Sequence, residues 1–254
     1  MSTYRFNLAW DGTQYCGWQR QPNANSIQET VERALQAIFP NERIVVQGAG
    51  RTDAGVHALQ QIASFTIDEH RDPEKILRGL NAKLPSDIVC THVELVVEGF
   101  HPRHHSKEKL YRYRILNRPL PCPFRYGYTW HVRQTLNIHA MERCAAIFVG
   151  DHDFAAFRAQ GCTAKSTFRT ITRAEILTTE DNEIHFEVQG KGFLRHMVRI
   201  MMGSVVAVGL GKRRQQQIEA ALHHSDRTLL GQTAPSHGLW LVWTSLLDIV
   251  DETE

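Results

Sequence analysis

The chain has 254 residues, 42% hydrophobic and 22% charged, with a formal net charge of +2. That length can bury one large core or two small ones, and the ordinary composition argues against disorder and low complexity. The small net charge is compatible with nucleic acid without arguing for it, because distribution matters more than total.

The five cysteines, Cys16, Cys90, Cys122, Cys144 and Cys162, are scattered and form no C-x-x-C pair, which speaks against a disulfide framework and for the cytosol. The opening MSTYRFNLAW lacks a basic segment followed by a long apolar stretch, so no signal peptide is expected. The apolar-rich window around Met197 to Leu210 is too short and too interrupted to span a bilayer. A cytoplasmic protein without membrane association is the expectation.

Tyr4, Phe6, Leu8 and Trp10 alternate with polar or small residues, the period of a half-buried strand. Ser26-Ile27-Gln28-Glu29 has the form of a capping box, opening a helix with Ile27, Val31, Ala34, Leu35 and Ile38 on its apolar side. Ile44-Val45-Val46 reads as a short strand running into Gly48–Gly55. A strand near Ile62 to Phe65 precedes Asp72-Pro73, an N-cap and first-turn pair for a helix through Leu80. Ile88 to Val97 reads as a strand. The segment Gly99 to Lys109 is the candidate hinge, which divides the chain into residues 1–105 and 106–254.

In the second half, Tyr111, Tyr113 and Ile115 share one strand face and Arg112 and Arg114 the other. A helix near Ile138 to Phe148 follows, then strands near Thr170 to Leu177 and Ile184 to Val188. Helices near Phe193 to Val208 and Gln215 to Leu222 and a last strand over Leu239 to Leu247 complete the order. Strands and helices in this alternation, many joined by short turns, predict an α+β fold.

Four segments carry chemistry. In Gly48 to His57, three glycines after a strand end allow a sharp turn and close approach to a ligand. Arg51 and Asp53 sit in its middle: a guanidinium near a carboxylate favours the ionised form that a nucleophile or base needs, and the arginine is also suited to a phosphate. On pattern alone, a turn whose Asp accepts backbone hydrogen bonds and whose Arg is solvated is the more common occupant of such a segment.

The second segment, Phe100 to Arg118, holds Arg103, Lys107, Lys109, Arg112, Arg114 and Arg118 against Glu108, interleaved with His101, His104, His105, Tyr111 and Tyr113. Cations that neutralise phosphates and rings that stack on unpaired bases suit RNA, while a core place is the alternative for one of the tyrosines. The third, Gly190 to Gly203, puts Arg195 and Arg199 at i and i+4, on one side of the expected helix. A buried arginine there wants a carboxylate, and Asp53 is the favoured candidate. The fourth, Arg158 to Arg169 with Lys165, reads as a basic surface finger.

Metal and nucleotide-loop signatures fall short. The histidines form no H-E-x-x-H and no zinc spacing with cysteine, so neither metal nor cofactor is expected. His223-His224 fits a solvated helix end. Gly209-Leu210-Gly211-Lys212 lacks phosphate-loop spacing and reads as a helix terminus with its glycine cap.

The run Gly50-Arg51-Thr52-Asp53-Ala54-Gly55-Val56-His57-Ala58 resembles the signature of the TruA family of tRNA pseudouridine synthases. Trp10-Asp11-Gly12 with Gly17-Trp18-Gln19-Arg20-Gln21-Pro22 and Gln28-Glu29 is similar to the family's opening. Phe100-His101-Pro102-Arg103 with Tyr111-Arg112-Tyr113, then Gly192-Phe193-Leu194 with Met197-Val198-Arg199, and Thr233-Ala234-Pro235 with Gly238-Leu239 resemble its later motifs.

The resemblance implies two related α/β halves with mainly antiparallel sheets joined across a central basic cleft, the pseudouridine synthase fold. It implies a homodimer acting on uridines of the tRNA anticodon stem-loop, at positions 38, 39 and 40. Asp53 would be the catalytic aspartate, Arg199 its basic partner and Tyr111 the residue that stacks on the target base. Arg51 would enter the space that the flipped nucleotide leaves, and Arg103, Arg158 and Lys165 would hold RNA. His104, His105 and Leu110 depart from the usual pattern, which bears on RNA contacts there. Two rival functions stay open on the residues alone: an RNA-binding protein without catalysis, and a base-releasing glycosidase, which normally needs a second carboxylate.

Overall fold

The computed structural model of the chain describes residues 1–247. It divides into two compact units, Met1–Lys107 together with the chain from Leu241, and Glu108–Trp240. The elements are mixed α+β and the strand pairing is mainly antiparallel.

The first unit contains β1 (Ser2–Trp10), α1 (Ile27–Ile38), β2 (Gln47–Gly48), β3 (His57–Ile67), α2 (Pro73–Asn81) and β4 (Ile88–Val96). β1 lies between β4 and β3 and is antiparallel to both, and β2 adds to β3. Tyr4, Phe6, Leu8 and Trp10 are buried, as the alternation requires. Both helix starts follow from local chemistry. Ser26 Oγ accepts from Glu29 N–H, and Asp72 accepts from Glu74 N–H ahead of Pro73.

Ile44–Val46, expected as a strand, is not one; pairing is confined to Gln47–Gly48. Side chains of α1 take the backbone groups that a sheet would have used. Val46 N–H donates to Glu32 Oε1 at 3.1 Å, and Gln28 Nε2 donates to the Val46 carbonyl at 2.9 Å.

The second unit contains most of β5 (Ser106–Asn117), β6 (Trp130–Val132), α3 (Ile138–Ala146), β7 (Gly150–Asp153), β8 (Phe168–Thr178), β9 (Glu183–Gly190), α4 (Met197–Gly209) and α5 (Gln215–His224). Its strands run in the order β5-β9-β8-β7, antiparallel from β5 to β7, with β6 parallel to β5. The closing strand β10 (Leu239–Leu246) lies beside β3 in the order of the first unit. β6 and β7 lacked a sequence signal: three residues are too few to show a period, and Gly150-Asp-His-Asp is polar throughout.

α4 is buried nearly all round, the behaviour of a core helix. It starts at Met197, not near Phe193, because His196 adopts a left-handed backbone with φ 61°. Arg195 therefore precedes the helix and does not share a helical face with Arg199, contrary to the i, i+4 expectation. At the other end, Gly211 takes φ 68° and Lys212 N–H reaches the Ala207 carbonyl at 2.9 Å, so the Gly-Leu-Gly-Lys run is a glycine helix cap. All five cysteines are free thiols.

Candidate active site

In the first unit, Asp53 sits on the loop between β2 and β3 and is partly exposed, with Thr52 buried before it and Arg51 exposed. The segment from Asp11 to Trp18 clamps this loop through its backbone. Trp18 N–H donates to the Thr52 carbonyl at 3.2 Å, and Gly55 N–H donates to the Tyr15 carbonyl at 3.1 Å. Trp10 Nε1 donates to the Val56 carbonyl at 3.0 Å, and Gly12 N–H donates to His57 Nδ1 at 3.1 Å. Gln61 Nε2 holds the Gly50 carbonyl at 2.6 Å.

Glycine is required where these chains touch. A Cβ on Gly12 would lie 2.2 Å from the Val56 carbonyl oxygen, and one on Gly17 would lie 2.4 Å from that of Thr52. Gly17 also takes φ 90°. The opening motif and the Asp53 loop are thus one built object. Sequence reasoning noted these glycines but missed their function as a backing for the loop.

His57 is fully buried, and its Nδ1 also lies 3.2 Å from Asp11 Oδ1. Tyr15 donates its hydroxyl to Asp87 Oδ1 at 2.8 Å. Burial, with this bond, raises the Tyr15 pKa and keeps the phenol protonated. The Thr52 hydroxyl is buried and finds no hydrogen-bond partner among the described residues.

In the second unit, Tyr111 on β5 is 7% exposed and meets the Phe193 ring edge-on at 5.0 Å between centroids. Tyr113, two residues along the same face, is fully buried and donates its hydroxyl to the Pro235 carbonyl at 2.6 Å. Burial raises its pKa well above the ordinary phenol value. Tyr113 is thus the core tyrosine of the pair. Arg199 on α4 is partly buried and donates from Nε to the Ala234 carbonyl at 2.9 Å. Within this unit, Tyr111 meets the Gly192-Phe193 motif and Arg199 meets the Thr233-Ala234-Pro235 motif.

The loop from Arg158 to Arg169 is largely exposed, with Arg158 and Lys165 open to solvent. Arg195 ties it down: its carbonyl accepts from Ala159 N–H at 3.1 Å, and its Nη1 donates to the Gln160 carbonyl at 3.1 Å. Burial raises the Cys162 pKa, but backbone donors from Arg195 and Ala164 and the charges of Arg158 and Arg169 outweigh it and leave the thiol below its ordinary value.

The basic segment Phe100 to Arg118 needs correction. Arg112 donates to Glu187 at 2.8 Å, and Arg114 grips both oxygens of Glu183 at 3.0 and 3.1 Å. Both acids are buried on β9, where an ion cannot stand without a partner. Arg118 folds onto the carbonyls of Leu120 and Pro121. These three arginines are occupied inside the fold, whereas Arg103 and Lys107 remain exposed. Among the described residues, no cluster of metal-ligating side chains occurs and no helix is long and apolar enough to cross a membrane.

Comparison with known proteins bears on both units. A family described as tRNA pseudouridine synthase matches residues 8–103 and 144–244. A protein of Ruminiclostridium cellulolyticum called tRNA pseudouridine synthase A is 43% identical over 242 residues, covering 95% of this chain and 98% of the relative. Proteins of the same name from Thermoanaerobacter sp. and Acetivibrio thermocellus are 43% and 41% identical, covering 92% and 95% of this chain and 96% and 98% of their own. With its Asp53 loop and its Arg199 motif within the matched segments, the chain belongs to the tRNA pseudouridine synthase family.

Proposed function

We propose that this protein isomerises uridines of the tRNA anticodon stem-loop to pseudouridine, with Asp53 as the catalytic carboxylate. The observation that carries this reading is the setting of Asp53. Its loop is fixed by backbone bonds and glycine-only contacts, so a carboxylate presented there is held in place before substrate arrives. In the reaction the N1–C1′ bond breaks, the uracil turns, and a C5–C1′ bond forms. C5 gives up its proton and N1 gains one. No electrons are exchanged, so side chains suffice without a cofactor.

The target nucleotide leaves its stack to be reached. Tyr111 stacks on the base, and Arg51 enters the space left behind. Arg199 serves as the basic residue of the reaction. Arg103, Arg158 and Lys165, all exposed cations, take backbone phosphates. The working form is a cytoplasmic homodimer in which each tRNA touches both subunits.

Nucleoside mass spectrometry of an unmodified tRNA transcript, before and after incubation with the protein, tests this reading. Uridine should be converted to pseudouridine at constant total, with the new residues mapping to the anticodon stem-loop. Free uracil would indicate a glycosidase, and an unchanged composition with tight binding would indicate a non-catalytic RNA-binding protein.

A further inference from the structure

The segment Gly231 to Pro235 is held without slack against α4. Gly231 N–H donates to Ser204 Oγ at 3.1 Å, and Ser204 Oγ donates to the Ile200 carbonyl at 2.8 Å. A Cβ on Gly203 would lie 1.7 Å from the Gln232 carbonyl oxygen, so the two backbones touch. Ala234 pairs with Arg199 twice: its N–H donates to the Arg199 carbonyl at 3.0 Å, and its carbonyl accepts from Arg199 Nε at 2.9 Å.

A second arginine grips the same segment from the other end. Arg227, in the helical turn Arg227–Leu229, donates from Nη1 to the Gly231 carbonyl at 2.7 Å and from Nη2 to Thr233 Oγ1 at 3.4 Å. Arg227 is partly buried, and burial pulls its pKa below the ordinary guanidinium value. No carboxylate pairs with it among the described residues. A cation withdrawn from water without a counter-ion is costly, so its retention calls for a reason other than an ion pair. Its planar fork reaches two acceptors of one turn at once, which a lysine ammonium cannot reproduce.

We propose that Arg227 is a positioning residue for Arg199: it braces the Gly231–Thr233 turn and thereby fixes the Ala234 carbonyl that orients the Arg199 guanidinium. The inference rests on the role given to Arg199 above. Nε and both Nη atoms lie in one rigid plane, so anchoring Nε sets where the Nη donors point. A brace lost one step away changes the direction of the charge and leaves RNA binding alone.

Steady-state kinetics on an unmodified tRNA transcript test this with Arg227→Gln, Arg227→Lys, Arg199→Lys and the double variant Arg199→Lys/Arg227→Gln. Arg227→Gln is expected to lower kcat about tenfold or more with KM for tRNA within about twofold, and Arg227→Lys to recover part of the loss through the Gly231 carbonyl. The double variant should turn over no more slowly than Arg199→Lys alone, because residues acting as a unit are non-additive. Losses that multiply in the double variant would make Arg227 an independent prop and overturn the proposal. Wild-type turnover in Arg227→Gln beside an impaired Arg199→Lys would overturn this inference alone, whereas wild-type turnover in Arg199→Lys would overturn the reading of Arg199 and this one with it. Should Arg227→Gln fail to fold, Arg227→Lys alone and combined with Arg199→Lys provides the same comparison.

Discussion

Gly17 and Thr52 meet backbone to backbone: Trp18 N–H donates to the Thr52 carbonyl, and a Cβ on Gly17 would lie 2.4 Å from that oxygen. The φ of 90° at Gly17 independently disfavours any side chain. Gly17→Ala is therefore expected to destabilise the fold by about 1–3 kcal/mol and to displace the Asp53 loop, so turnover falls more than stability alone explains. Urea titration and initial rates on tRNA check this. A variant with unchanged midpoint and rate would show that the clamp does not govern the loop.

Gly203 has the same relationship to Gln232, at 1.7 Å. Gly203→Ala must push the Gly231–Pro235 segment off α4 and release the Ala234 carbonyl from Arg199. Thermal melting should show a loss of several degrees, consistent with the roughly 1–3 kcal/mol that overpacking costs. An unshifted melt would mean that the segment yields without penalty.

Removing a single oxygen tests the buried tyrosine. Tyr113→Phe leaves the ring in place but strands the Pro235 carbonyl, now without its 2.6 Å donor. The expected loss is about 1–3 kcal/mol by denaturant titration, with the m-value unchanged. Equal midpoints for the two proteins would contradict the assignment of Tyr113 to a structural bond.

Acid should find Glu183. Burial raises its pKa, but hydrogen bonds from Arg114 and His185 and the charges of Arg114 and Arg125 outweigh burial and hold it below the ordinary carboxylate value. The unfolded chain therefore binds the proton more readily. The contribution of Glu183 is complete above the unfolded pKa of about 4.3 and is lost as pH falls through the lower folded value. Denaturant midpoints followed downward from neutral pH should fall more steeply in the wild type than in Glu183→Gln, which has no carboxyl to titrate. Parallel curves would contradict the pairing.

What the sequence made legible was what its local chemistry determines. Ser26 and Asp72-Pro73 announce α1 and α2 because a cap acts on its own helix, and Gly211 announces the end of α4 in the same way. The start of α4 was hidden because the turn at His196 is left-handed without a glycine to signal it. Arg112 and Arg114 read as RNA contacts because nothing local shows that β9 lies beside β5. The period-two spacing that puts Glu183, His185 and Glu187 on one face was the available hint. The Asp53 loop was visible through its glycines and the family motif, but its backing by Gly12 and Gly17 is a long-range contact. Arg227 carried no signal, since its acceptors are a carbonyl and a hydroxyl formed into place by the fold.

The central claim concerns one carboxylate, and one substitution addresses it. Asp53→Asn keeps the size and hydrogen-bonding reach of the side chain and removes its charge. Tritium release from tRNA carrying 5-tritiated uridine, measured beside tRNA binding and the thermal melt, is the most direct test. The account predicts wild-type melting and binding with tritium release abolished, whereas an Asp53→Asn protein that still releases tritium would contradict the assignment of Asp53.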